Sequence, residues 1–409
     1  MLPRFVDLVD SDPDAVALVE HDRVVTRAAL LARARELAPG FRAGELTALQ
    51  LPNSAEFVAT FLAAVDRGAI VVLFDRDAPR SEVTAVMRYF GRPKLPDDAR
   101  VLKLSSGSTG MPKAIVCSID NLVADARNIC STMGIRPSDK NLGAIPFSHS
   151  YGFSNLVMPL LVQGTAVVVS NEYLPLSLLG LANRHRCTVA PLIPMVFEHL
   201  ASLPADDGQF ETVRTFVSAG APLLPSTSKR FRDRFGTDIH SFYGCSEVGG
   251  IAYDRTGGAV ERGTVGVPMK QGANVALGYL LDENTFIPFE GKFTPDDIVE
   301  TRENGEIALV GRASDWINTA GKKVNPREVE QVILQIEGVR DVKVYGEPAG
   351  SRGEVVAAAV VADNVTREMI RDFCRSRLSS HKVPRIVKLI DAIPVDERGK
   401  VKRAALAAL

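Results

Sequence analysis

Short apolar runs alternate with amphipathic stretches along most of the chain. A helical pattern between Thr26 and Pro39 precedes the apolar run 46–51, and a second pattern that begins after Ser54 precedes the run 69–74. A hydroxyl residue at the start and proline or glycine at the end are typical helix boundaries. Apolar runs of this length between helices predict buried strands. The alternation predicts an α/β architecture.

The pattern continues to about residue 312 and then changes. Further strands are predicted in the first part at 114–117, 142–145, 166–170 and 212–218. In the second part the predicted elements are a helix from Asn325, strands at 341–345 and 355–361, and a helix from Thr366. The change predicts a large N-terminal α/β domain at 1–312 and a small α+β domain at 313–409.

Composition indicates a globular protein without a strongly charged partner. The 409 residues are 46% hydrophobic and 24% charged, and the net charge is −1. This balance gives no reason to expect nucleic acid or an anionic membrane as a partner. The apolar stretch 156–169 is interrupted by polar residues and is shorter than the roughly 20 residues of a membrane span.

The cysteines and the N-terminus predict a cytoplasmic protein. The 5 cysteines show no C-x-x-C spacing, which favours a reducing compartment and argues against structural zinc. His185 and Cys187 come nearest to a metal pair, but no second pair accompanies them. The first residues, MLPRFVDLVDSDPD, carry acids and lack a continuous apolar core, so neither a signal peptide nor a transit peptide is expected.

The segment LSSGSTGMPK, residues 104–113, has a composition that no packed helix or strand favours. Its glycines let the chain turn with backbone N–H groups exposed, its hydroxyl groups are donors, and Lys113 adds a cation. This combination of hydrogen-bond donors and a cation is suited to binding phosphate oxygens. The segment is not a P-loop, since no Ser or Thr follows the lysine. Taken alone, it fits a polar surface turn equally well.

Further motifs along the chain indicate a specific function for this loop. They are IPFSHSYGF (145–153), SAGAPL (218–223), FYGCSEVGG (242–250), GRASDWINTAGKKVNPREVE (311–330) and PVDERGKVKRAAL (394–406). Their order and spacing resemble the adenylate-forming superfamily of acyl- and aryl-CoA synthetases, peptide-synthetase adenylation domains and luciferases. The resemblance covers nearly the whole chain. It implies a large N-terminal α/β domain of the acyl-CoA synthetase type and a small, mobile α+β C-terminal domain.

The resemblance implies an ATP-dependent ligase that joins a carboxylic acid to AMP and then transfers the acyl group to a thiol. A carboxylate that attacks the α-phosphate brings anions together, so the site must supply cations and fixed donors. The nucleotide-binding residues implied are Ser105, Ser106, Gly107, Ser108, Thr109, Gly110, Lys113, Ser218, Gly220, Ala221, Pro222, Tyr243, Gly244, Cys245, Asp297 and Arg312.

Candidate catalytic roles follow from the same resemblance. Ser246 would bind the α-phosphate, Glu247 would hold Mg²⁺, and Tyr243 would stack near the adenine. Glu247 taken singly is more often a solvated acid, and its motif favours the metal. Lys400 stands where the family places a catalytic lysine that contacts the acyl carboxylate and the α-phosphate. A basic run at this place is otherwise typical of a solvated tail.

The ribose hydroxyls are assigned by the resemblance to a carboxylate and a forked donor. Asp297 and Arg312 match these two positions. The motif around Asp297 is degraded, so Asp296 stays an alternative, and Arg312 alone would also fit a salt bridge at a domain edge.

The second half-reaction is implied to follow a rotation of the small domain. The hinge falls near Ser314 or Asp315, and Gly321 matches the glycine beside which a pantetheine arm passes. Gly321 therefore favours a thioester-forming ligase. The acceptor stays open between CoA, which we favour, and the phosphopantetheine of an acyl carrier protein.

The acid is expected to be acyl or aryl. Amino-acid-activating relatives carry an aspartate directly after Phe147, where this chain has Ser148 and His149. His149 resembles a gating residue and is a candidate catalytic residue, although a histidine beside aromatic residues is as often a satisfied core residue. An apolar pocket would be lined by Tyr151, Phe153, 194–196 and 248–250.

One region departs from the family pattern. The segment 75–101 is shorter than in full-length relatives, so part of the N-terminal subdomain is trimmed and the outer wall of the acid pocket is reduced. An inactive nucleotide-binding homologue is the third alternative, and the retained Lys113, Glu247 and Lys400 argue against it. The expected ligands are ATP, Mg²⁺, a carboxylic acid, and CoA or a carrier protein.

Overall fold

A computed structural model describes residues 1–105, 112–312, 316–319, 322–348 and 354–394, apart from the side chains of Leu2 and Arg312. The chain divides into two compact units, Met1–Thr294 and Pro295–Leu409. The predicted domain boundary between 312 and 313 lies after a strand hairpin that belongs to the second unit.

The first unit alternates short strands with helices, as the hydrophobic pattern predicts. Its strands are β1 (Val16–Glu20), β2 (Arg23–Thr26), β3 (Leu46–Leu49), β4 (Ile70–Leu73), β5 (Ala99–Ser105), β6 (Lys113–Ser118), β7 (Lys140–Gly143), β8 (Ala166–Val169), β9 (Val189–Leu192), β10 (Thr215–Ser218), β11 (Ile239–Cys245), β12 (Gly249–Tyr253), β13 (Val267–Pro268), β14 (Gly278–Asp282) and β15 (Thr285–Pro288). Its helices are α1 (Leu2–Ser11), α2 (Arg27–Leu37), α3 (Ala55–Asp66), α4 (Arg80–Phe90), α5 (Ile119–Met133), α6 (Ser150–Gly152), α7 (Met158–Gln163), α8 (Pro175–Arg184), α9 (Pro194–Ala201) and α10 (Pro225–Phe235).

These strands form two sheets. One has nine strands in the order β13-β12-β11-β10-β9-β7-β8-β1-β2, and the other has six in the order β15-β14-β6-β5-β4-β3. In the larger sheet the strands from β11 through β10, β9, β7 and β8 to β1 are parallel. Their carboxyl ends therefore lie at one edge, where α/β sheets characteristically bind ligands.

The apolar face of helix α3 packs into the core of the first unit, as the hydrophobic pattern predicts. Its N-cap is Ser54, whose hydroxyl accepts a hydrogen bond from the Phe57 N–H at 3.1 Å. The Phe57 ring meets the Phe147 ring edge-on, with centroids 5.6 Å apart, and Phe61 meets Phe153 in the same way at 5.0 Å. Phe147 and Phe153 flank His149, so this packing fixes the His149 segment to the core of the first unit.

Two predicted strands are displaced along the chain. The strand predicted at 142–145 is observed as β7, which begins at Lys140, and the one predicted at 212–218 begins only at Thr215. Strand β7 contains Asn141, which is fully buried and donates to the Asn155 carbonyl at 3.3 Å. A polar side chain that is buried with an internal hydrogen-bond partner interrupts the apolar run, so the hydrophobic pattern does not show where the strand begins.

The second unit is an α+β structure. Its elements are β16 (Asp297–Thr301), β17 (Ile307–Arg312), β18 (Ile317–Thr319), β19 (Lys322–Val324), α11 (Pro326–Ile333), β20 (Val339–Pro348), β21 (Glu354–Ala362), α12 (Arg367–Arg375) and β22 (Ile386–Leu389). Strands β20, β21 and β22 form a sheet, and helices α11 and α12 bury Val329, Ile333 and Ile370 in the core that includes it. The predicted helices and strands are confirmed here, and β16, β17, β18, β19 and β22 are additions. No helix among the described residues is long and apolar enough to cross a membrane.

Candidate functional site

Three of the predicted site segments meet at the carboxyl edge of the parallel strands. Ser148 to Ser150 follow β7, the 218–222 segment begins at the end of β10, and the 243–247 segment begins within β11 and extends past its end. The Ser150 and Ser246 hydroxyl oxygens lie 2.7 Å apart in a hydrogen bond. The tertiary structure thus places segments that are distant in sequence side by side.

Lys113 approaches from the six-stranded sheet. Ser105 and Lys113 are register partners in β5 and β6, and the Lys113 Nζ lies 3.7 Å from the centroid of the Tyr279 ring. The Ser105 hydroxyl is buried and has no hydrogen-bond partner in the described part of the chain. The other predicted loop residues, Ser106, Gly107, Ser108, Thr109 and Gly110, lie outside the described residues.

Tyr279 was not among the residues that the sequence predicted. Its hydroxyl donates a hydrogen bond of 2.6 Å to the Glu247 Oε1. Burial, together with this carboxylate, raises the pKa of Tyr279 far above its usual value, so the phenol stays a neutral donor. The only signal in the sequence was a tyrosine within the apolar run 277–281, which is ordinary for a strand.

The turn that carries Glu247 depends on two glycines. A side chain on Gly244 would collide with the Gly249 carbonyl, and one on Gly249 would collide with the Asp125 carboxylate. Gly249 also has a φ of +80°. The Gly250 N–H donates to the Asp125 Oδ1 at 3.0 Å. Asp125 lies on α5 and is 3% exposed, and its burial raises the pKa of this carboxyl group.

The other predicted residues of the 218–222 and 243–247 segments differ in burial. Tyr243 is half-buried on β11 beside Ala252 of β12. Burial, with the Glu247 charge nearby, raises the pKa of Cys245 to about 12, so this thiol is protonated at neutral pH. Gly220 and Pro222 are exposed and Ala221 is half-buried.

His149 is held by an acid from another part of the chain. Its Nε2 lies 2.7 Å from the Asp75 Oδ1, and the Ser148 hydroxyl donates to the same oxygen at 3.1 Å. The His149 side chain is 21% exposed, so it is not a fully buried core residue. Asp75 follows β4 and was not predicted, because nothing in the sequence links the ends of β4 and β7.

Two of the predicted residues are register partners within the second unit. Asp297 of β16 lies opposite Arg312 of β17 in the hairpin, and Asp297 is half-buried whereas Asp296 is exposed. This difference favours Asp297 over Asp296 for a defined role. Gly321, Lys400 and the hinge residues Ser314 and Asp315 lie outside the described residues.

The residues present fit a magnesium ion that is shared with phosphates. Among the described residues no group of three or more His, Cys, Asp and Glu side chains could enclose a metal. Mg²⁺ commonly uses one or two carboxylates together with substrate phosphates and water. Glu247 would supply one carboxylate, and the hydroxyls of Ser105 and Ser218, which are buried and lack a hydrogen-bond partner in the described part of the chain, would be donors to phosphate. His185 instead lies 2.8 Å from Asp22, and Cys187 is fully buried.

Comparison with known proteins identifies the family. The model of the AMP-binding enzyme family matches residues 5–93 and 90–312, and that of the AMP-binding enzyme C-terminal domain matches residues 328–400. The protein YngI of Bacillus subtilis is 27% identical over 76% of this chain, which spans 63% of that protein. Feruloyl-CoA synthase of an Amycolatopsis species is 26% identical over 95% of this chain and 94% of its own length.

The crystal structure of ATP-bound MatB from Rhodopseudomonas palustris has the same fold, with a TM-score of 0.86, 22% identity and coverage of 99% and 98% of the two chains. The alignment with feruloyl-CoA synthase runs over 465 positions, against 409 residues in this chain. The two matches to the family model meet at 90–93, within the segment predicted to be trimmed. The chain therefore belongs to the AMP-binding enzyme family, as a shortened ligase of the adenylate-forming, acyl-CoA synthetase type.

Proposed function

We propose that this enzyme adenylates an acyl or aryl carboxylic acid with ATP and transfers the acyl group to CoA. The observation that carries the proposal is the cluster of Lys113, Tyr279 and Glu247, with Ser246 next to Glu247 in the chain. A cation from the six-stranded sheet, together with a carboxylate and a hydroxyl that follow the nine-stranded sheet, suits a magnesium-bound triphosphate. The name of a 26% identical relative supports an aromatic acid without selecting one.

The first half-reaction forms a mixed anhydride. A carboxylate oxygen of the acid attacks the α-phosphorus of ATP, the bond from that phosphorus to its bridging oxygen breaks, and pyrophosphate leaves. Ser246 would hold the α-phosphate, and Lys113 with the 105–110 loop would hold the departing phosphates. A magnesium ion, when bound, neutralises phosphate charge, and Glu247 would hold it. Asp297 and Arg312 would bind the ribose.

The second half-reaction forms the thioester. The thiol sulfur attacks the acyl carbonyl carbon, AMP leaves with the anhydride oxygen, and the thiol proton passes to solvent. Gly321 would leave room for the pantetheine arm, and Lys400 would serve only the first half-reaction. We favour free CoA as the acceptor because the sequence shows no dedicated docking surface for a carrier protein. All 5 cysteines are free thiols, which supports a reducing, cytoplasmic location.

The acid is proposed to carry no ammonium group. Asp75 is the acidic side chain that the structure brings to Ser148 and His149, and both residues already bond to its Oδ1. An aspartate engaged in this way is less suited to pairing with a substrate cation than a carboxylate that faces an open pocket.

Exchange of labelled pyrophosphate into ATP, measured across a panel of acyl, aryl and amino acids, tests the proposal. We expect exchange with at least one acyl or aryl acid, and formation of AMP and a thioester when CoA is added. Exchange with none of the acids would favour an inactive homologue. A preference of about 100-fold in kcat/KM for a phosphopantetheinylated carrier protein over CoA, about 2.7 kcal/mol, would replace CoA with the carrier protein.

A further inference from the structure

Tyr279 contacts two charged side chains that the proposed function assigns to different tasks. Its hydroxyl donates to the Glu247 carboxylate at 2.6 Å, and its ring faces the Lys113 Nζ at 3.7 Å from the centroid. Glu247 follows the nine-stranded sheet at β11, whereas Lys113 begins β6 of the six-stranded sheet. One aromatic side chain therefore connects groups from the two sheets.

The position of Tyr279 is rigid. Strand β14 pairs with β6 through Tyr279 and Ile115, and with β15 through Tyr279 and Ile287. The Tyr279 ring also meets the Phe289 ring edge-on, with centroids 4.8 Å apart, and the Phe293 ring at 6.1 Å. A strand that is paired on both sides and a ring packed against two aromatic neighbours leave the hydroxyl little freedom to move.

Lys113 and Glu247 contact different parts of Tyr279, the ring face and the hydroxyl, rather than each other. The described chain shows no contact between these two side chains within salt-bridge distance, although both touch Tyr279. An ion pair would satisfy both charges and would compete with phosphate for the lysine and with metal for the carboxylate. Contact with the neutral phenol does not cancel the positive charge of Lys113 or the negative charge of Glu247.

We propose that Tyr279 is a positioning residue that holds Glu247 and Lys113 apart, so that the carboxylate can hold a metal and the lysine can bind phosphates of the same nucleotide. This inference rests on the proposed function, because it assumes that the site binds magnesium and ATP. The hydroxyl acts on Glu247 and the ring acts on Lys113, so the two contributions can be separated by substitution.

Tyr279→Phe and Tyr279→Leu separate the two contributions. Tyr279→Phe keeps the ring and removes the hydroxyl, so we expect the Mg²⁺ concentration for half-maximal pyrophosphate exchange to rise about tenfold, while the KM for ATP changes less than about twofold. Tyr279→Leu also removes the cation–π contact, so we expect the KM for ATP to rise about threefold as well. Tyr89→Phe is the matched control, since the Tyr89 ring packs on Phe90 of the same helix, and neither parameter should change.

A double variant and a binding measurement complete the test. In Glu247→Gln, adding Tyr279→Phe should change the Mg²⁺ requirement no further, because the hydroxyl acts through that carboxylate. The second measurement is the rise in melting temperature caused by ATP, recorded once with Mg²⁺ and once with excess EDTA. In Tyr279→Phe we expect the difference between these two rises, which is the Mg²⁺-dependent part, to disappear. This binding measurement tests Tyr279 even if the wild type shows no exchange, which would overturn only the proposed function. An unchanged Mg²⁺ titration in Tyr279→Phe, or absence of ATP binding by the wild type, would overturn the inference.

Discussion

Glu247 receives a hydrogen bond from a phenol that burial keeps protonated, and its backbone is held as closely as its side chain. Its carbonyl accepts a hydrogen bond from the Ala276 N–H at 2.8 Å, and the carbonyl of Val248 accepts one from the Asn274 side chain at 2.8 Å. A glutamate whose side chain and backbone are both held by hydrogen bonds needs little reorganisation to bind a metal ion.

Glu247→Gln should slow adenylation by roughly two to three orders of magnitude and raise the Mg²⁺ requirement, because the amide removes the negative charge and preserves the shape. The measurement is pyrophosphate exchange as a function of Mg²⁺ concentration. Glu303→Gln, at an exposed position in the second unit, should behave as the wild type. A wild-type Mg²⁺ titration in Glu247→Gln would assign the metal to another acid.

The buried carboxyl group of Asp125 is expected to make the stability of the folded protein depend on pH. Its folded-state pKa is raised by burial, so the stability that the protonated acid contributes is complete below the unfolded-state pKa and is lost as the pH rises through the folded-state value. Asp125→Asn keeps the shape without titrating. We expect the variant to gain stability relative to the wild type as the pH rises from about 4, the usual aspartate value.

Thermal unfolding of the wild type and of Asp125→Asn between pH 5 and 8 measures this difference. Asp120→Asn, an exposed position on the same helix, is the matched control and should track the wild type at every pH. A constant difference between Asp125→Asn and the wild type across this range would show that the carboxyl group binds the same number of protons in the folded and unfolded states, which would contradict its raised pKa.

At the scale of elements, helix α5 supports the turn between β11 and β12. Asp125 projects from α5 to the Gly250 N–H, and it occupies the space that a side chain on Gly249 would need. The turn can therefore take its observed path only if position 249 has no side chain and the backbone adopts a positive φ.

Gly249→Ala should destabilise the protein by about 1–3 kcal/mol and reduce adenylation, because it adds backbone strain and displaces Asp125. Gly180→Ala in helix α8, where an added Cβ meets no atom within 4 Å, should be stabilising by about 0.5–1 kcal/mol. Chemical denaturation and pyrophosphate exchange measure the two effects. Equal stability of the two variants would contradict this description of the turn.

At the scale of the whole molecule, the two half-reactions should depend on different residues. Lys400→Ala is expected to abolish adenylation and to leave thioester formation from a supplied acyl-adenylate largely intact, because the proposed function assigns the lysine to the first half-reaction alone. Single-turnover assays of each half-reaction measure this. Lys402→Ala, which removes a flanking charge, should affect neither. Equal loss of both half-reactions in Lys400→Ala would contradict its assignment.

Much of the fold was predictable because its determinants are local. Ser54 and Thr26 cap their helices as predicted, with hydroxyls that accept from backbone N–H groups three residues later. Strands with polar interiors were placed less accurately, as β7 with its buried Asn141 shows. When a polar side chain is buried because a residue distant in sequence bonds to it, its burial cannot be predicted from hydrophobicity.

The sequence by itself determined the family, the order of the motifs and the candidate roles of Lys113, Ser246 and Glu247, because these follow from residue types at fixed spacing along the chain. Tertiary structure alone decided that Tyr279 contacts both Glu247 and Lys113, that Asp75 holds His149, and that Asp125 supports the Gly249 turn. Each of these contacts joins the ends of strands or a helix that lie far apart in sequence. Their meeting depends on strand order and parallel pairing, which no local pattern of residues encodes.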